Sequence, residues 1–150
     1  MRFSVSVAQR GLNLTLFGEH FSGDVVQPIV EGAASFAFDR MYSNAPWRKG
    51  YLAQSIQKQV GEGTATIKPL ASYAIFVVQG TAPHLIRPVN ASCLAFESGM
   101  LGGMIFTRLV HHPGTKPNPF VQRSADETVE AMPELAQQVI DEAVGKATEA

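Results

Sequence analysis

One cysteine, Cys93, occurs among 150 residues. A lone thiol forms no intrachain disulfide, which excludes a disulfide-stapled secreted fold and fits a reducing compartment. Cys93 lies between Ser92 and Leu94 with no basic neighbour to activate it, so it reads as a small apolar residue. Long hydrophobic runs are also missing. No stretch approaches the ~20 apolar residues that span a bilayer. The N-terminal "MRFSVSVAQRGLNLTLFGEHF" alternates apolar with polar residues and lacks the continuous apolar stretch of a signal peptide. The expectation is a chain made and kept in a cytoplasm, or packaged from one, with no membrane partner. Excess charge of either sign is absent too. Twelve basic and thirteen acidic residues leave a net charge of -1. That is not the footprint of a sequence-specific nucleic-acid binder, although Arg40, Arg48 and Lys49 lie close in sequence.

What remains is a folded composition, 45% hydrophobic, in a length that suits one domain spanning residues 1–150. Phe3, Val5 and Val7 alternate with polar residues, as do Leu12, Leu14 and Leu16, predicting N-terminal strands or an arm within residues 1–20. Ser22 or Asp24 can cap a helix that runs to about Asn44 and ends before Pro46. Pro28 fits it only in the first turn. Val26, Ile29, Val30, Ala33, Phe36, Ala37 and Met41 form one apolar stripe. Phe38 and Tyr42 fall outside it, among polar residues. Either a loop of the same chain covers them or they are subunit contacts.

Pro46 and Gly50 bracket a turn, after which Tyr51–Val60 predicts a strand and "TATIKPL" another. "SYAIFVVQGT" has no decisive period and fits helix or buried strand. "MIFTRLVHH" predicts a strand that returns against Cys93–Phe96 as a hairpin. Pro119 opens a last helix. Ala125, Val129, Met132, Ala136, Val139 and Ala143 give it a narrow seam, which Pro133 should kink or restart, leaving 133–150 as a C-terminal extension. The class is α+β: a long helix in the N-terminal half packed on a mostly antiparallel β-sheet with hairpins, plus a C-terminal helix.

Chemistry finds little support. A zinc site could draw on His84, His111, His112, Cys93 and His20, but adjacent residues of a strand point to opposite faces, and neither HExxH nor paired CxxC occurs. GxSxG is absent, and so is a phosphate-binding GxxxxGK[ST]. Asp126, Glu127 and Glu130 sit where a helix start favours acids. A His-based metal-dependent enzyme is therefore the competing reading, and no catalytic residue, metal or cofactor is assigned. "VHHPGTKPNPF" makes better sense as mechanics. Pro113, Pro117 and Pro119 each fix φ and restrict the preceding residue. Gly114 allows one turn of positive φ, and Phe120 supplies an apolar anchor. The histidines are expected to donate to backbone carbonyls. A segment so pre-ordered loses little entropy on binding.

"VVQGTAPHLIRPVNASCLAF" with "FTRLVHHPGTKPNPFVQRSADE" resembles the head–tail joining and minor tail proteins of long-tailed bacteriophages, of the neck or tail-completion type. The resembling positions are Gly80-Thr81, Pro83-His84, Ile86, Pro88, Leu94-Ala95-Phe96, His112-Pro113-Gly114-Thr115 and Pro119-Phe120, with Lys116 and Pro117 inside the last motif. Upstream, Pro46, Gly50, Leu52, Ser55 and Ile56 also match the family's pattern. Val78, Gln79 and Val89 depart from it. The resemblance covers roughly residues 24 to 130. It implies a non-enzymatic virion protein at the head–tail neck, assembled in the host cytoplasm, forming a homo-oligomeric and usually hexameric ring. Its implied partners are its own copies, the head connector or head-closure protein, and a tail-terminator or tail-tube protein, with DNA able to pass through the ring.

Overall fold

Period-two alternation at the N-terminus does build strands. The computed structural model describes residues 2–8, 11–17, 23–98 and 102–148. Strands β1 (Arg2–Ala8) and β2 (Gly11–Phe17) pair antiparallel, with Val5 opposite Leu14 and Val7 opposite Leu12. Strand β2 pairs with β4 (Thr64–Pro69), setting Leu12 against Ile67 and Leu14 against Ala65. Strand β3 (Ile56–Gly61) adds to the other edge of β4, giving an antiparallel sheet in the order β1-β2-β4-β3. Residues directly opposite share a face. One face therefore buries Leu12, Leu14, Ala65 and Ile67, while Ser4, Ser6, Asn13, Thr66, Gln57 and Gln59 form a polar outer face.

Helix α1 (Gly23–Asn44) lies on the apolar face. Ile29, Val30, Ala33, Ala34, Ala37 and Met41 are buried, and Val26 packs against them. Phe36 is only half-buried and carries the Arg40 guanidinium 5.1 Å from its ring centre. Ser22 lies outside the described residues. Pro28 is the sixth residue of α1, beyond the first turn, which corrects the expectation. The carbonyl it deprives of a donor belongs to Asp24, at the helix start, so only the end of the ladder is disturbed.

Two segments differ from their sequence-based expectation. Tyr51–Gln54 forms a short helix, α2, rather than the start of a strand. Gly50 is left-handed (φ 77°), and its carbonyl accepts from Gln54 N–H at 2.9 Å, so one helical turn closes before β3 begins. Ser55 then ties this turn to the far end of β4, accepting from Leu70 N–H at its carbonyl and from Ala71 N–H at its hydroxyl. The ambiguous "SYAIFVVQGT" contains helix α3 (Ala74–Gln79), with Ala74 buried and Val77 and Val78 against the core.

The last helix, α4 (Phe120–Thr148), packs on α1, β1 and β2. It runs as one element through Pro133, so no restart occurs there. Its seam also needs correction. Val129 is 50% exposed, and Ser124 and Thr128 are fully buried in its place. Their hydroxyls donate to the carbonyls of Phe120 and Ser124 at 2.8 and 2.7 Å, so they enter the core already satisfied. Asn44 closes the joint, its amide donating to Ser124 Oγ at 3.1 Å and Glu127 Oε2 at 3.0 Å. The fold is α+β, as expected: a sheet covered on one face by a long early helix and a C-terminal helix.

Phe120, with no exposed surface, is the largest fully buried side chain of this core. Phe120→Ala should cost about 3 kcal/mol through lost contacts and a cavity, read as a lowered midpoint in denaturant unfolding. A change within error would place the ring outside the core.

Candidate functional site: a clasp at the root of a β-ribbon

Residues 80–120 carry most of the sequence-predicted positions, and the structure brings them together. Strand β5 (His84–Ile86) pairs antiparallel with β8 (Val110–His112). Further out, β6 (Leu94–Ser98) pairs with β7 (Gly103–Thr107). The expected hairpin is present, but its returning strand is split and Cys93 lies just outside the ladder. Thr107 makes the break, its hydroxyl donating to Leu109 O at 3.0 Å and accepting from Leu109 N–H at 3.3 Å. Seven residues on one side of the break face two on the other. The result is an interrupted two-stranded arm running from His84 to His112.

At its root the chain crosses itself. Thr81 and Thr115 form an isolated antiparallel bridge, each N–H donating to the other's carbonyl at 3.0 Å. Their hydroxyls lie 3.1 Å apart, and Thr115 N–H also reaches Thr81 Oγ1 at 3.1 Å. Gly80 and Gly114 sit symmetrically about this bridge with φ of 72° and 84°. A Cβ on Gly80 would collide with Thr115 O, and one on Gly114 with Thr81 O. Both glycines thus take a positive φ at a separation only glycine permits. The sequence holds the signal for this, because Gly-Thr-x-Pro occurs twice, at 80–83 and 114–117. Read singly, each copy is an ordinary turn.

Just beyond the clasp, His84 is paired in register with His112 and their rings stack, with centroids 4.9 Å apart and planes at 27°. His84 Nδ1 lies 2.9 Å from Ala82 O and carries the proton there. His112 is the reverse of the expected donor. Its Nδ1 accepts from Gly114 N–H at 3.0 Å, so in the neutral ring its proton is on Nε2. His111 lies opposite Leu85, on the other face of the ribbon. Among the described residues no three histidine, cysteine or acidic side chains converge as a metal site. His20 lies outside those residues.

The loop 113–119 then carries β8 into α4. Pro113, Lys116, Pro117 and Pro119 are exposed, while the backbone is tied down at the far end. Asn118 N–H donates to Val77 O at 3.0 Å, its side-chain oxygen accepts from Arg123 at 2.9 Å, and Phe120 plugs the core. Pro83 is exposed beside the clasp. Exposed Phe76 shares a shallow cleft of about 550 Å³ with Gly80, Thr81 and His84.

Phe38 and Tyr42 lie elsewhere, on α1. Phe38 is half-buried against the core and stacks on Tyr42 at 6.3 Å. Tyr42 meets Trp47 edge-on at 6.2 Å, so a loop of the same chain partly covers it. Trp47, which the sequence reading passed over, is the more exposed ring of the three. Beside it, Arg48, Lys49, Tyr51 and Tyr73 line a cleft of about 540 Å³.

Comparison with protein-family models, with curated proteins and with solved structures finds no match for this chain.

Gly114→Val should destabilise the protein by at least roughly 1–3 kcal/mol from the positive φ alone, with the collision on Thr81 O adding to it. An unchanged melting temperature would show that the clasp is not formed. Freshly purified protein should carry no stoichiometric metal. One equivalent of zinc that is lost in His84→Ala/His112→Ala would establish a metal centre at the stacked pair.

Proposed function

We propose that the chain is a non-enzymatic virion subunit of a long-tailed bacteriophage, forming a ring at the head–tail interface. In this reading it completes the tail end and joins it to the head connector. Its contacts are other copies of itself, the connector or head-closure protein on one side, and the terminator or tail tube on the other. The observation that carries the reading is the arm. The motifs resembling neck proteins, Gly80–His84 and His112–Phe120, converge on one clasp whose role is mechanical: it fixes a ribbon with exposed Phe96, Met104 and Phe106 relative to the core. A rigid root bearing an apolar projection suits fixed assembly contacts and has no evident use in catalysis. The stacked histidines have both Nδ1 atoms engaged by backbone, which favours a structural role over general acid–base work.

The alternative within the same class is a tail terminator or head-closure ring. Electron microscopy of particles made without it separates the cases. The expected outcome is tailless full heads beside finished tails. Overlong tails would assign it as a terminator, and intact virions would overturn the neck reading.

A further inference from the structure

The net charge of -1 hides a strong segregation. Residues 40–116 hold eight lysines and arginines against two acids, whereas residues 117–150 hold seven acids against two cations. Among the described residues these charges are seldom paired with each other. Among the described residues the only salt bridge is Lys146–Glu142, a local contact within α4. Asp126, Glu130, Glu134 and Asp141 are all exposed. At 100° per residue they occupy one strip of α4, on the side away from buried Val121, Ser124, Thr128 and Met132. Exposed Val129 and Pro133 border that strip.

The β-ribbon arm is its complement. Arg87 and Arg108 are exposed and flank the break between the two strand pairs. The arm's one acid, Glu97, lies towards the tip, opposite Met104. Ala95 faces Phe106 and Glu97 faces Met104, so one side of the hairpin presents Phe106 and Met104, 67% and 58% exposed. A two-stranded hairpin without a covering layer is marginal in water. Strands β6 and β7 make their substantial contacts only with each other.

We propose that copies of this chain associate head to tail, the arm of one lying along the acidic outer strip of α4 of the next. The inference rests on the ring reading above and names the two faces that meet. Arg87 and Arg108 oppose Asp126, Glu130, Glu134 and Asp141, while Phe106 and Met104 cover Val129 and Pro133. The two patches differ, so the contact is heterologous and propagates around a closed ring. A second copy fits better than duplex DNA. Two arginines on an apolar ribbon neutralise few phosphates, and the acidic helix would repel the rest.

The test uses the full chain and sedimentation velocity over a range of concentration and salt. The wild type should form oligomers that dissociate as salt rises, because exposed charges at the rim are screened. Arg87→Glu/Arg108→Glu and Glu130→Lys/Glu134→Lys should each fold normally by circular dichroism, since all four side chains are exposed. Each should weaken association by roughly tenfold or more, because like charges then face each other. Mixing the two variants should restore assembly, and so should all four substitutions combined in one chain. A wild type that stays monomeric throughout, reversals without effect, or failure of both rescues would overturn the contact. Retention of duplex DNA by a monomer, lost in Arg87→Glu/Arg108→Glu, would also overturn it and assign the arm to DNA. Intact virions without the protein would sink the neck reading alone. Oligomers indifferent to these reversals would sink the arm–helix contact alone.

Discussion

At one point two backbone segments approach too closely for any side chain to stand between them. Gly80 and Gly114 flank the Thr81–Thr115 bridge, and a Cβ on either would strike the other strand's carbonyl. Everything beyond this crossing inherits its geometry. The bridge sets the register that places His84 against His112, and the register stacks their rings. On the other side, the chain leaving Thr115 needs only Lys116, Pro117 and Asn118 to reach Pro119, whose carbonyl accepts the first bond of α4 from Arg123 at 3.0 Å. Arm and helix are thus positioned from one point.

Magnitudes separate what holds the arm from what aims it. Two backbone hydrogen bonds at a partly solvated bridge contribute on the order of 1 kcal/mol each. Burial of Phe120 contributes several times that, and with Val121 it fixes the loop's far end in the core. The anchor is therefore Phe120, assisted by Asn118 on Val77 O, and the clasp supplies direction. Prolines at 113, 117 and 119 remove freedom from the unfolded loop, so the aimed state costs less entropy to reach.

The long periodic segments were legible from residues alone. Alternation at Leu12 and Leu14, with partly buried Val5 opposite Leu14, survives because these residues lie on the covered face, where a slip by one residue would expose them; Val7, at the end of the row, is exposed. The stripe of α1 holds except at Phe36, because Ile29, Val30, Ala33, Ala37 and Met41 pack on that same covered face. Errors arose where a local bond competes with periodicity. Left-handed Gly50 closes α2 in a stretch otherwise suited to a strand. The Thr107 hydroxyl breaks the returning strand. Ser124 and Thr128 look polar in sequence yet are buried, because each satisfies its hydroxyl on its own helix. Hydrophobic periodicity therefore put exposed Val129 in the seam and left out Ser124 and Thr128, while Ala125, Met132 and Ala136 are buried as expected. The clasp was half legible. Gly114 was assigned its positive φ from its neighbours, but its partner lies 34 residues earlier, and only the fold pairs the two Gly-Thr steps.

Charge followed the same logic. Composition sums over the chain, and a sum of -1 conceals a cationic middle and an anionic last helix. In the proposed assembly, distribution rather than total decides how copies would meet. The arm and the outer strip of α4 are joined covalently by residues 113–119, three of which are proline. Where complementary faces are joined flexibly, head-to-tail contacts give mixed or open chains, because the angle between successive copies is not fixed. In the proposed ring, that angle would be set by a glycine-tight crossing at one end of the loop and a buried phenylalanine just past the other. A fixed rotation per copy is what a closed ring of one size requires. In that proposed ring the stiffness of "HHPGTKPNPF" acquires a mechanical reason.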